Sequence, residues 1–213
     1  MIQWYLLALC LAPALLLVVA LATQRTAALK PWGTHASLLL TVYLQAVISG
    51  ALVISLCEEA GWTAFVTARL QRRWGALRTC LAVGPLQGFV HFPLLFMAGT
   101  VAIGGGRLHL QDAPLILFVL LIGYAIPLRI ILTWIYNSTR GSLPIVALTH
   151  QALDQVASAV ILTTFFAGIN ATWVDVVPAP FALAIILLTQ GRLGYRDEKD
   201  VLPAHRSPVP ATV

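Results

Sequence analysis

Residues 37–70, SLLLTVYLQAVISGALVISLCEEAGWTAFVTARL, decide the fold. Before Arg69 this run holds just two charged side chains, Glu58 and Glu59, side by side. An acidic side chain at mid-bilayer costs roughly 2.5–3.5 kcal/mol on insertion scales, so a pair in such a run is a standing penalty that needs a reason. As one straight helix the run reaches about 50 Å, against a hydrocarbon core of about 30 Å. It is therefore predicted either to protrude well beyond the bilayer or to break near Gly50 or Gly61.

The rest of the chain has the same character. Of its 213 residues, 59% are hydrophobic and 10% are charged, where a soluble domain carries about 25% charged residues. Mean hydropathy is +0.87. The composition describes an integral membrane protein, and apolar windows of about 20 residues divide it into six spans. They are predicted over residues 4–22, 37–70, 79–98, 114–136, 142–166 and 178–190. The fold class is thus all-α, a polytopic transmembrane helical bundle. The first run is read as a span rather than a cleaved leader, because no Lys or Arg precedes it and it is long enough to cross. Gly104-Gly105-Gly106 marks a loop, and the proline-bearing tail is read as disordered. The organisation is residues 1–35 as first span and outer loop, 36–195 as the core, and 196–213 as a cytoplasmic tail.

The net charge of +5 does not indicate nucleic acid, because the basic residues lie in short patches between apolar segments. They read as topology determinants. With the Arg69–Arg78 loop in the cytoplasm, the inner side holds Arg69, Arg72, Arg73, Arg78, Arg140, Arg192, Arg196, Lys199 and Arg206, and the outer side Arg25, Lys30 and Arg107. Nine against three places both termini inside. Arg129 lies within the fourth span and joins neither count. Cys10, Cys57 and Cys80 form no CxxC pair, so neither a disulfide framework nor a structural zinc knuckle is indicated. HExxH, GxSxG and Walker patterns do not occur. Asn137-Ser138-Thr139 and Asn170-Ala171-Thr172 match the glycosylation acceptor pattern, the first on the inner side.

Besides the glutamates and Arg129, ionisable groups at membrane depth are His91 and the pair His150 and Asp154. Glu59 lies ten residues before Arg69, His91 thirteen after Arg78, and His150 ten after Arg140. At helical rise each sits roughly 15–20 Å from the cytoplasmic charges, so three segments bring polar groups to one depth. A shared intramembrane cavity accounts for this. Glu58 and Glu59 diverge by about 100° around a helix, so one can face a cavity while the other holds a different partner. His150 and Asp154, four apart, project from one face, where the carboxylate can orient the imidazole. Plainer readings stand beside these: a polar pair joining two helices, a hydrogen-bonded core histidine, or a proton- or ion-conducting site.

Glu58-Glu59-Ala60-Gly61-Trp62-Thr63-Ala64-Phe65, then His91-Phe92-Pro93, then Ser142-Leu143-Pro144 leading to His150 and Asp154, resembles the CPBP family. These are the CAAX-protease and bacteriocin-processing (Abi) intramembrane endopeptidases. The resemblance covers about residues 55–154, with Gly191-Arg192-Leu193-Gly194-Tyr195 as a closing motif. It implies an enzyme that hydrolyses a peptide bond of a membrane-associated or lipidated peptide or protein. Glu58 would activate the water and Glu59 support it, while His91 and His150 stabilise the oxyanion with Asp154 near it. In the metalloprotease version Glu58, His91 and His150 would instead ligate Zn2+. The Ala-, Leu- and Arg-rich composition suggests a bacterial source, so the expected setting is a bacterial cytoplasmic membrane. The chain departs from the family pattern at three places. Thr63 stands where the family has arginine, Gln87 where an aromatic is common, and Asp154 where asparagine is usual. A site short of positive charge is the expectation, with Arg69 a substitute cation only if the helix bends. A non-catalytic immunity or scaffold protein and an ion-coupled transporter are the competing classes.

Overall fold

The computed structural model describes residues 2–23, 37, 39–97, 113–156 and 176–196. Six helices and no strand occur among them, the all-α bundle expected from hydropathy. We number them α1 (Ile2–Ala22), α2 (Thr41–Trp74), α3 (Ala76–Met97), α4 (Val119–Ser138), α5 (Leu143–Val156) and α6 (Pro178–Thr189). By length and composition α1, α2 and α4 can each cross a membrane. Most of the first loop, Gly104-Gly105-Gly106, the later part of the fifth span, Asn170 and the tail 197–213 lie outside the described residues.

The long second run neither breaks at Gly50 nor at Gly61. It continues as one 34-residue helix, widened into π-helical turns over Ala51–Ser55 and Ala60–Thr67. Thr67 Oγ1 donates to the carbonyl of Trp62, five residues back, as a widened turn permits. The reason is the solvent: a break in hydrocarbon leaves backbone groups unpaired, whereas a widened turn keeps them bonded. The four residues between the π segments, Leu56–Glu59, hold both glutamates.

At the centre lies α4. Leu128 through Thr133, together with Ile135, are all buried, so this helix is covered on nearly every side. α3 and α6 pack against it, α5 lies beside it, and α1 and α2 pack against α5. Trp134 of α4 meets Trp4 of α1 edge-on at 5.4 Å and Phe181 of α6 at 6.3 Å. Tyr43 Oη on α2 donates to the carbonyl of Leu9 on α1. Ser55 donates to Gln151 Oε1 at 2.9 Å, a buried bond joining α2 to α5.

The crossing of α3 over α4 rests on two glycines one turn apart, Gly84 and Gly88. A Cβ on Gly84 would lie 2.9 Å from Ile126 Cα, and one on Gly88 would lie 2.6 Å from Leu121 Cδ2. Small residues at this spacing let membrane helices approach to backbone contact. Gly75, at φ +77°, ends α2 and lets α3 begin at once. These approaches carry polar side chains of α2, α3 and α4 to one point.

Candidate active site

Glu59 points inward from α2 and is fully buried, and its carboxylate is held from three helices. Arg129 of α4 forks across it, Nη1 donating to Oε2 at 3.0 Å and Nη2 to Oε1 at 3.1 Å. Thr63, one turn on along α2, donates to Oε2. His150 Nδ1 of α5 lies 2.9 Å from Oε1, though off the axis of an aligned hydrogen bond. Arg129 also donates from Nη1 to Thr63 Oγ1 at 2.6 Å. Its Nε and Nη2 donate to Gln87 Oε1 of α3 at 3.2 and 2.5 Å. A buried ion pair is tolerable when hydrogen bonds satisfy its remaining donors and acceptors, as they do here.

Glu58 faces the other way, as the 100° step requires. Its Oε1 lies 3.8 Å from His91 Nε2 of α3, and both side chains are about one-third exposed. His91 Nδ1 donates to the carbonyl of Gln87 at 2.9 Å, so in the neutral ring Nε2 is the unprotonated nitrogen and it faces Glu58. Glu58 Oε2 is buried and has no hydrogen-bond partner among the described residues. His150 Nε2 lies 3.5 Å from Asp154 Oδ2, while Tyr124 Oη of α4 donates to Asp154 Oδ1.

The five residues singled out from sequence fall into two sets carried by adjacent residues of α2: Glu58 with His91, and Glu59 with His150 and Asp154. The two carboxylates differ in chemistry. Both oxygens of Glu59 are occupied by fixed donors, which suits it to hold other groups in place. Glu58 keeps a buried oxygen without a partner among the described residues, beside an imidazole nitrogen able to share a proton. A buried acceptor in that condition needs a donor to complete it.

The Zn2+ set does not assemble as three ligands. Among the described residues no group of three His, Cys, Asp or Glu side chains is placed to hold a metal ion. Both ring nitrogens of His150 already face carboxylates, Glu59 and Asp154. A cavity of about 670 Å³ opens elsewhere, at the ends of α2 and α4, lined by Arg72, Arg140, Arg196 and Asn137 among others. None of the five residues lines it. Asn137 is taken up structurally, exchanging two 3.1 Å hydrogen bonds with Gln71 and donating to the carbonyl of Leu193.

The expected shortage of positive charge is corrected by Arg129, from a helix distant in sequence. Arg69 plays no part. It donates to the carbonyl of Phe65 and stacks on that ring at 3.8 Å. Arg129 was visible in the sequence as an ionisable group at membrane depth, but nothing there said which carboxylate it meets. Tyr124 gave no signal, since a tyrosine in an apolar span is ordinary.

The sequence matches the family described as Type II CAAX prenyl endopeptidase Rce1-like over residues 39–156. No curated protein and no solved structure matches the chain. The family match covers more than half of the 213 residues and runs across α2 to α5, and on that extent the chain belongs to the Rce1-like, or CPBP, family of CAAX-type membrane proteases.

Proposed function

We propose that this integral membrane protein is an endopeptidase whose general base is Glu58, acting on a membrane-associated or lipidated peptide or protein. The observation that carries the reading is the contrast between neighbours: both oxygens of Glu59 accept from Arg129 and one also from Thr63, while Glu58 Oε2 has no partner among the described residues. A water hydrogen-bonded to that oxygen attacks the scissile carbonyl carbon and its proton passes to Glu58. The carbonyl electrons move onto oxygen, where protonated His91, across from Glu58, donates to the oxyanion, and His150 adds to the local field. As the tetrahedral intermediate collapses the C–N bond breaks, and Glu58 returns the proton to the leaving amine. Asp154, steadied by Tyr124, orients His150.

No step is routed through a metal, because the donor set does not offer three free ligands. The proposed setting is a bacterial cytoplasmic membrane, from the Ala-, Leu- and Arg-rich composition, and the nine-to-three arginine and lysine asymmetry favours both termini in the cytoplasm. The test uses purified wild type and Glu58→Gln in lipid nanodiscs with a library of membrane peptides and prenylated C-terminal peptides, with and without chelator. Cleavage by wild type that is lost in Glu58→Gln and persists with chelator is expected. Equal cleavage by the two proteins removes Glu58 from the role, and loss with chelator that zinc restores puts a metal into the reaction.

A further inference from the structure

Three side chains around Glu59 are usually unrelated in a sequence: a threonine on α2, a glutamine on α3 and an arginine on α4. Here they form one closed unit. The guanidinium has five N–H donors, and five hydrogen bonds leave it: two to Glu59, two to Gln87 Oε1 and one to Thr63 Oγ1. Thr63 passes the bond on by donating its own hydroxyl to Glu59. Arg129 is completely buried, as are Glu59 and Thr63, and Gln87 is 3% exposed. The charge of Glu59 is balanced and every donor is used.

We infer that Arg129 is the positioning residue of the site and that Thr63 and Gln87 are its seat. The cation fixes Glu59, Glu59 places its charge 2.9 Å from Nδ1 of His150, and His150 in turn faces Asp154. Neither the threonine nor the glutamine is then a defect of the site. Each is the neutral group that a cation entering from α4 requires. A long side chain at position 63 would occupy the space of the guanidinium, and an apolar one at position 87 would leave two of its donors without acceptors. Lysine cannot replace Arg129, since an ammonium has three donors on one atom and cannot fork across a carboxylate while reaching Gln87.

The geometry also says where else the cation could originate. Thr63 lies one helical turn after Glu59 on the same face, and its Oγ1 is 2.6 Å from Arg129 Nη1. An arginine placed at 63 reaches the same carboxylate, provided that position 129 is made small. The exchange Thr63→Arg with Arg129→Thr therefore tests position against mere charge.

The catalytic part of this inference rests on the endopeptidase reading, so the experiment carries a readout that does not. Wild type, Arg129→Gln, Arg129→Lys and the double exchange are reconstituted in nanodiscs and compared in two ways. Peptide cleavage should fall on the order of 10–100-fold in kcat for both single variants, as for the loss of a group orienting a catalytic ligand, with KM little changed. The double exchange should recover most of it. Carbethoxylation of His150, read by mass spectrometry, should be slow in wild type, where the ring is 3% exposed, fast in both single variants, and slow again in the exchange. If wild type cleaves no peptide, the endopeptidase reading fails and the His150 reactivity alone decides the positioning role. If Arg129→Gln does not fold, Arg129→Lys and the exchange still give the comparison. Full protection of His150 and full activity in Arg129→Lys, or an exchange no better than the single variants, overturns the inference.

Discussion

Substituting Gly84 by alanine adds one methyl group where α3 meets α4, and the structure specifies what that methyl strikes. Its carbon would sit 2.9 Å from Ile126 Cα, 3.0 Å from Ile126 Cγ1 and 3.3 Å from the carbonyl oxygen of Ala125. Two of these are backbone atoms that no rotamer change can move. Carbon–carbon contacts settle at about 3.5–4.0 Å, so the helices must part by roughly 0.6–1.1 Å. Overpacking of this kind costs about 1–3 kcal/mol. For a chain of this length that is a fall of about 2–12 °C in Tm, at about 2–4 °C per kcal/mol. The site feels the same displacement, because Gln87 and Arg129 each lie three residues beyond the contact on their own helices. Their hydrogen bonds of 3.2 and 2.5 Å cannot both survive a separation of that size. The assay is thermal unfolding in nanodiscs followed by tryptophan fluorescence, with Gly61→Ala as the control. A Cβ on Gly61 meets nothing within 4 Å, so alanine there should be neutral or stabilising by about 0.5–1 kcal/mol. A Gly84→Ala protein that unfolds within 1 °C or so of wild type would refute the backbone-contact argument, since it predicts a shift of at least about 2 °C.

Three further outcomes are expected. Glu58→Gln should lower peptide cleavage by about 10²–10⁴-fold, the range for a lost general base, while leaving Tm nearly unchanged because the side chain is partly exposed. A large drop in Tm with activity retained would assign Glu58 to structure instead. Asn137→Leu removes three hydrogen bonds that join α2, α4 and the Leu193 turn, and should destabilise by about 1–3 kcal/mol, measured by denaturant unfolding; no change would mean those bonds are exchanged for water without loss. Ser55→Ala strips a buried donor from Gln151 and should cost about 1–3 kcal/mol in the same measurement, whereas exposed Ser49→Ala should not register.

Much of the bundle was legible because hydropathy is a one-dimensional signal. The predicted ends of the first, fourth and sixth spans fall within a few residues of α1, α4 and α6. Local helical geometry also carried far. The different facing of Glu58 and Glu59 follows from a 100° step, and the meeting of His150 with Asp154 follows from a spacing of four. What stayed hidden depends on which helix lies against which. Arg129 could be recognised as costly at its depth, but its partner is 70 residues away in sequence. Thr63 and Gln87 looked like losses, since their common neighbour lies on a third segment. Gly84 and Gly88 are informative only beside Leu121, Ala125 and Ile126. The persistence of α2 through Gly50 and Gly61 reflects the demand of hydrocarbon that backbone groups stay paired, which outweighs the weak helix preference of glycine.

A π-helical turn is equivalent to an α-helix that has taken in one residue too many, and α2 holds such a turn between its two anchored points. Glu59 is clamped at one end by Arg129, and Gln71 at the other by Asn137, both on α4. The count of residues between the clamps is therefore set by the rigid helix opposite, not by α2 itself. Deleting one residue within Ala60–Thr67 would let this stretch relax to ordinary α-helix with both clamps in register, whereas inserting one more would turn everything beyond it by about 100°. Either the carboxylate or the amide would then lose its partner. Outward-facing positions such as Gly61 can be substituted singly, whereas an added residue cannot be absorbed, so α2 is open to mutation in its exposed letters and closed to lengthening.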